Sequence, residues 1–239
     1  MVKGAGKVKL KLILVIIVVL LLSDLAWAQE KLEFEFWQDE YSLNKLIKTK
    51  FDARELKGKL ALDFDLSMEL SYQFWDQSRL DKNKLENFSL KTVKDFAPQD
   101  STKFALGIGL DYYQLTVKSE KLSLSQLEGK TLELVLALEK DIMERVNLFT
   151  ELEYGLYNDH QFFNHNLASE LTYNSDYNYS LKAGLDFKLG PNLRTKVGYK
   201  FSRESLQRAK RGETIVNNYN LTHLLQQQQG LFLGLETIF

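Results

Sequence analysis

Apolar and polar residues alternate along most of this chain. They do so most regularly in KLALDFDLSMELSYQF, Lys59 to Phe74, where Leu60, Leu62, Phe64, Leu66, Met68, Leu70, Tyr72 and Phe74 take every second position. The residues between them are small, polar or acidic, and include Asp63, Asp65 and Glu69. On a helix a step of two positions turns about 200°, so these apolar side chains would scatter round the cylinder. On a strand they form one face. The pattern predicts a single long strand over 59–74, greasy on one side and acidic on the other.

The same alternation recurs. It predicts strands over 31–40, 46–54, 85–94, 103–117, 130–140, 146–158, 177–189, 193–203 and 230–239. In 31–40 Leu32, Phe34 and Phe36 oppose Glu33, Glu35 and Trp37; in 130–140 Leu132, Leu134, Leu136 and Leu138 oppose Glu133, Val135, Ala137 and Glu139. In 46–54 Ile47, Thr49, Phe51 and Ala53 are read as the apolar face, against Lys48, Lys50, Asp52 and Arg54. The segments 46–54 and 85–94 carry the weakest signal; with them the strands number ten, without them eight.

A soluble antiparallel sandwich alternates in the same way. Against it stand apolar faces that are nearly pure Leu, Phe and Tyr over a length a tilted membrane strand requires, where soluble strands average about five or six residues. Tyr72, Phe74, Tyr112, Tyr154, Tyr177 and Tyr179 fall toward strand ends, as aromatic girdles at a membrane interface do. The fold expected is therefore an all-β, transmembrane, antiparallel up-and-down barrel. The connections sort into short turns at one rim and long loops at the other, the long ones being 118–129, 159–176 and 204–229, with shorter outer connections at 41–45 and 75–84. Pro98 and Pro191 fall in the short turns, where a missing backbone donor costs nothing.

The first residues bear on compartment. Lys3, Lys7, Lys9 and Lys11 precede an apolar run from Leu12 to Leu22, and Ala26-Trp27-Ala28 supplies small residues at the cleavage-determining positions. That layout is a secretory signal peptide, 1–28, with the barrel over 29–239. Ser23 and Asp24 end the run short of the ~20 apolar residues a spanning helix needs. Loss of this segment would take the net charge from −1 to −4, too mild to suggest a nucleic-acid partner. The chain has no Cys, so neither a disulfide nor a lipoprotein acylation site holds it.

The ending GLFLGLETIF resembles the terminal strand of Gram-negative outer-membrane β-barrel proteins, with Leu231, Leu233, Leu235 and Phe239 matching and Thr237 standing where a large apolar residue is usual. The resemblance implies localisation in the outer membrane, a lipid environment, and passage through the export translocon and the barrel assembly machinery. It names a class and no single function. A monomer is expected.

Inside such a barrel the polar faces converge. The lumen is expected to hold Asp63, Asp65, Glu69, Glu133, Glu151 and Glu153 facing a basic arc of Lys182, Lys188, Arg194, Lys196 and Lys200, with Asp186 among them. These charges would pair into a network that plugs the lumen. The alternative is a narrow porin-like path for small solutes. A rim hydrolase is the distant alternative, resting on NDHQFFNHN, which puts Asp159, His160 and His165 in a long outer loop. The run Arg208 to Arg211, the NNYN at 217–220 and the QQQQ at 226–229 are read as solvated loop. No nucleophile elbow, phosphate loop or zinc-binding helix motif is present, and no cofactor is expected.

Overall fold

The computed structural model describes residues 30–44, 47–62, 64–77, 83–96, 102–119, 123–164, 171–209, 215–216 and 219–239. The expected signal peptide lies outside them. Every regular element among the described residues is a strand: β1 (Glu30–Leu43), β2 (Ile47–Ala61), β3 (Leu66–Gln77), β4 (Asn83–Phe96), β5 (Thr102–Ser119), β6 (Ser123–Met143), β7 (Val146–Asn164), β8 (Leu171–Lys188), β9 (Leu193–Arg208), the two-residue β10 (Ile215–Val216) and β11 (Tyr219–Asn220), and β12 (His223–Ile238).

Ten of these close into an antiparallel barrel in the order β1-β12-β9-β8-β7-β6-β5-β4-β3-β2, while β10 and β11 pair with each other in the last outer connection. The first and last strands seal it, with Phe34 opposite Leu235 and Phe36 opposite Leu233. Closure removes the unpaired edges that would otherwise template aggregation. The described residues of both weak segments, 47–54 and 85–94, lie within barrel strands, so the count is ten.

Two expectations about boundaries are corrected. The stretch 59–74 is a hairpin: β2 ends at Ala61, β3 starts at Leu66, and between them Phe64 and Asp65 take φ of 64° and 59°. Alternation continues in register through so tight a turn, which is why it read as one strand. The outer loops are also far shorter than expected. β6 has 21 residues and β7 has 19, so that most of 118–129 and 159–176 is strand, as are Gln226 to Gln229 and Arg208.

These long strands carry two opposite polarities. Over the half nearest the chain ends, β5 turns Phe104, Leu106, Ile108, Leu110 and Tyr112 outward, all exposed, and β12 does the same with Leu231, Leu233 and Leu235. Eight residue steps at ~3.3 Å and a strand tilt of ~40° make this band about 20 Å tall, close to the apolar height of a membrane barrel. Tyr154, Tyr157, Tyr112 and Tyr199 are exposed near its upper edge, with Tyr177 beside Tyr179. Inside this half the side chains are charged.

Above the aromatic belt the arrangement reverses. Lys48, Lys50, Asp52, Lys130 and Gln161 point out, Gln114 donates to Glu128 at 2.9 Å on the outer wall, and Trp37, Tyr41, Phe51, Trp75, Phe162, Tyr173 and Leu224 are buried inside. The expected orientation of 46–54 is thus inverted: Phe51 and Ala53 face the lumen. The cause is the solvent outside the wall. Lipid gives an apolar side chain no reason to turn inward, whereas water does, at about 25 cal/mol per Å² buried. The outer third is a soluble barrel standing on a membrane one.

Candidate functional site: a charged lumen beneath an apolar plug

The inward faces of the membrane-embedded half form a connected ion network. Lys196 on β9 donates to Glu33 and Glu236, both at 2.8 Å. Lys182 on β8 is hydrogen-bonded to Glu35 on β1, and Lys57 lies 3.5 Å from the same carboxylate. Arg194 meets Asp186 at 3.0 Å, with Glu139 and Glu236 each 3.9 Å away. On the other side of the lumen Lys91 reaches from β4 to β7, donating to Glu151 at 2.8 Å and also to Glu153, with Glu69 at 4.0 Å. Charges out of water are tolerated only when paired in this way.

Most of the residues expected in the lumen are there, but they do not form one acidic arc facing one basic arc. Lys57 and Lys91 bring cations among the carboxylates, and Glu33, Glu35 and Glu236 bring carboxylates among the cations. The alternation carries the signal for four of the five, since Glu33 and Glu35 stand between apolar residues and Lys91 and Glu236 each follow a Leu; Lys57, beside the buried Leu56 and Gly58, gives no such contrast. Asp65 is a correction: it sits in the β2–β3 turn, exposed, because the chain reverses there. Asp63 lies outside the described residues. Lys188 shares the inward parity of Asp186 at the rim, and Lys200 places its Nζ 4.0 Å over the Trp37 ring. Leu231, Leu233, Leu235 and the final Phe239 are exposed on the outer surface.

Below the network a vestibule of about 440 Å³ reaches the rim where β1 begins and β12 ends, lined at its mouth by Leu62, Asp65, Asp95 and Lys103. Above the network large side chains fill most of the lumen. Phe51 and Trp75 stack at 4.3 Å with 16° between their planes, Tyr41 packs 6.3 Å from Trp75, and Trp37 lies 6.1 Å from Phe232. Leu221, from the last outer connection, is fully buried on top of this cluster, where its carbonyl accepts the Tyr173 hydroxyl at 2.5 Å. Trp37, Phe51, Trp75 and Leu224 belong to one buried cluster that spans the barrel.

The histidines fall elsewhere than expected. His160 is on β7, not in a loop, and it is fully buried. Its Nε2 lies 2.8 Å from Glu204, and its Nδ1 lies 3.1 Å from the Tyr113 hydroxyl. Gly129 makes room for this ring pair: a Cβ there would stand 2.3 Å from the Tyr113 ring and 2.6 Å from His160 Nδ1. Asp159, its neighbour on the strand, points to the opposite face, so no His–Asp couple forms; His165 lies outside the described residues. A second cluster on the outer wall joins Ser205 Oγ to His223 Nε2 at 2.9 Å, with Asp176 3.3 Å from the serine and 3.6 Å from the same Nε2. A relay would need the carboxylate on the other ring nitrogen, and Ser205 is buried. Among the described residues no group of three or more His, Cys, Asp or Glu is placed to hold a metal ion.

With the geometry in view, comparison with known proteins settles the fold. No family model and no curated protein matches this chain. Among solved structures it is similar to the outer membrane protease OmpT from Escherichia coli, with a TM-score of 0.58 and 12% identity over 88% of this chain and 97% of that one. The translocator domain of the autotransporter NalP from Neisseria meningitidis matches with a TM-score of 0.49 and 9% identity over 89% and 88% of the two chains. The Neisserial surface protein NspA matches at 0.45 and 13% over 88% and 97%. The chain has the fold of an outer-membrane β-barrel. At these identities the likeness extends to the fold alone.

Proposed function

We propose that this protein is a non-conducting barrel of the outer membrane, anchored by its apolar band and presenting the polar outer extension at the cell surface. The observation that carries this reading is the apolar plug, a buried cluster from Trp37 to Leu224 that crosses the lumen above the ion network. An ion traversing it would shed most of its hydration among the rings of Trp37, Phe51 and Trp75 and the side chain of Leu224. Lys91 and Lys182 each cross-link strands three apart in the wall beneath the plug. A catalytic role is disfavoured by the same packing, since His160 has both ring nitrogens engaged and no route to a substrate.

The narrow-pore reading keeps one point in its favour, the vestibule of about 440 Å³ open at one rim. Planar-bilayer recording separates the two. The purified barrel is expected to give no discrete conductance steps in molar salt. Reproducible steps that are absent from a refolding blank would overturn the sealed-lumen reading.

A further inference from the structure

The wall opens within the β7–β8 ladder. β7 and β8 pair at Tyr154 with Tyr179 and again at Asp159 with Asn174, but the pairs between, 155–158 against 175–178, are missing. The register is unchanged across the break, so the two strands bow apart and rejoin. Each carries an irregularity against its other neighbour at this level: Leu156 is an extra residue against β6, and Asp176 an extra residue against β9. Bulges concentrate where a wall is bent for a purpose. Asn178 Nδ2 donates to Asn158 Oδ1 at 3.4 Å over the seam, and a Cβ at Gly155 would press to 2.8–2.9 Å against this same pair.

Behind the seam lies a cavity of about 80 Å³, with Asn178 and Ser180 on its wall. Four carboxylates line it, Asp111, Glu133, Glu153 and Glu204, against the cations of Lys200 and Arg203. Glu153 is occupied by Lys91 and Ser180. Glu133 is 5% exposed and faces Asp111 carboxyl to carboxyl, and Oε2 of the one and Oδ1 of the other are buried with no donor from a third residue. Buried acceptors of this kind are rare and want a donor. Outside the seam Tyr154, Leu156 and Tyr157 are exposed at the level of the aromatic belt, where a headgroup would meet its hydrocarbon tail.

We propose that the β7–β8 seam is a lateral binding site for a single-chain amphiphile with a primary-amine head, the ammonium entering between Asn158 and Asn178 to meet Glu133 and Asp111 while the tail stays against Leu156 and Tyr157. The site rests on the membrane-barrel reading and is independent of whether the lumen conducts. The excess of carboxylate selects a cation, the volume admits a head of a few heavy atoms, and charge-assisted hydrogen bonds to two buried acceptors supply the affinity.

Native mass spectrometry in a non-ionic detergent tests it, with dodecylamine, dodecanol and dodecyl sulfate as probes. Dodecylamine is expected to bind as a single equivalent, about tenfold or more tighter than either of the others. Glu133→Gln should weaken it by a similar factor. Because the chain has no cysteine, an Asn158→Cys, Asn178→Cys pair can be oxidised to pin the seam shut, and the amine should then bind only after reduction. Heat-dependent gel mobility reports separately that each variant is a closed barrel. Equal binding of dodecyl sulfate, or amine binding that survives both Glu133→Gln and the closed seam in a folded barrel, would overturn the site and leave the membrane reading standing. Loss of the gel shift in the wild type would overturn the membrane reading itself.

Discussion

Lys91 and Glu151 stand 60 residues apart in the chain and meet across the lumen at 2.8 Å. Their strands, β4 and β7, are not neighbours in the wall; β5 and β6 lie between them. The bond is therefore a chord of the barrel, and Glu153 on the same strand shares the ammonium. A residue on each of two distant strands is fixed to the other, which holds the cross-section as well as satisfying buried charge.

Removing the cation alone should be costly. Lys91→Met strands two carboxylates, and the expected loss is about 3–5 kcal/mol, read as the urea midpoint of the heat-modifiable gel band in liposomes. Adding Glu151→Gln and Glu153→Gln to the same chain should restore most of it, because the penalty belongs to the unpaired charges. A Lys91→Met barrel as stable as wild type would mean that water or a counter-ion reaches Glu151 from the vestibule.

The lumen was legible in the sequence wherever the wall stands in lipid. There the contrast between Leu134 and Glu133, or between Leu233 and Gly234, assigns each position to a face, and the inward list follows. The outer third was not legible, for a physical reason. Period-two alternation says that a strand has two unlike faces but not which one is inside, and above the belt water takes the place of lipid. So Phe51 and Ala53 were assigned outward. Gln226 to Gln229 gave no alternation at all, because on both sides of that wall the chain meets polar surroundings: Gln228 donates to Asp39 at 2.5 Å within, and Gln227 to Gln229 at 3.3 Å without. His160 was invisible as a core residue for the same cause, standing in a run of Asn, Asp and Gln.

The polarity switch makes opposite predictions for one substitution at two heights. Leu233 faces out between Phe36 and Val197, in the middle of the apolar band. Leu233→Arg should cost about 2–4 kcal/mol and slow insertion into vesicles. Gln161 also faces out but on the extension, and Gln161→Arg should leave insertion and stability within about 0.5 kcal/mol of wild type. Phe162, one residue further on and fully buried, should not tolerate Arg at all. Equal sensitivity of positions 161 and 233 would contradict a band that ends at the aromatic belt.

The β2–β3 turn offers a prediction in the stabilising direction. Phe64 holds φ at 64° while its ring is 84% exposed. A left-handed backbone costs an L-residue roughly 1–2 kcal/mol, and glycine escapes that cost while losing about 0.5–1 kcal/mol more chain entropy on folding. With almost no packing to forfeit in water, Phe64→Gly should raise stability by up to about 1 kcal/mol, again from the urea midpoint in liposomes. The turn lies at the rim of the apolar band, however, so the lipid interface is within reach of the exposed ring. Phe64→Asn separates the two contributions, since Asn tolerates the left-handed region nearly as well and has no apolar ring. If both variants stabilise the barrel, backbone strain dominates at this turn; if both destabilise it, Phe64 is an interfacial anchor whose hold on the membrane outweighs the strain it carries.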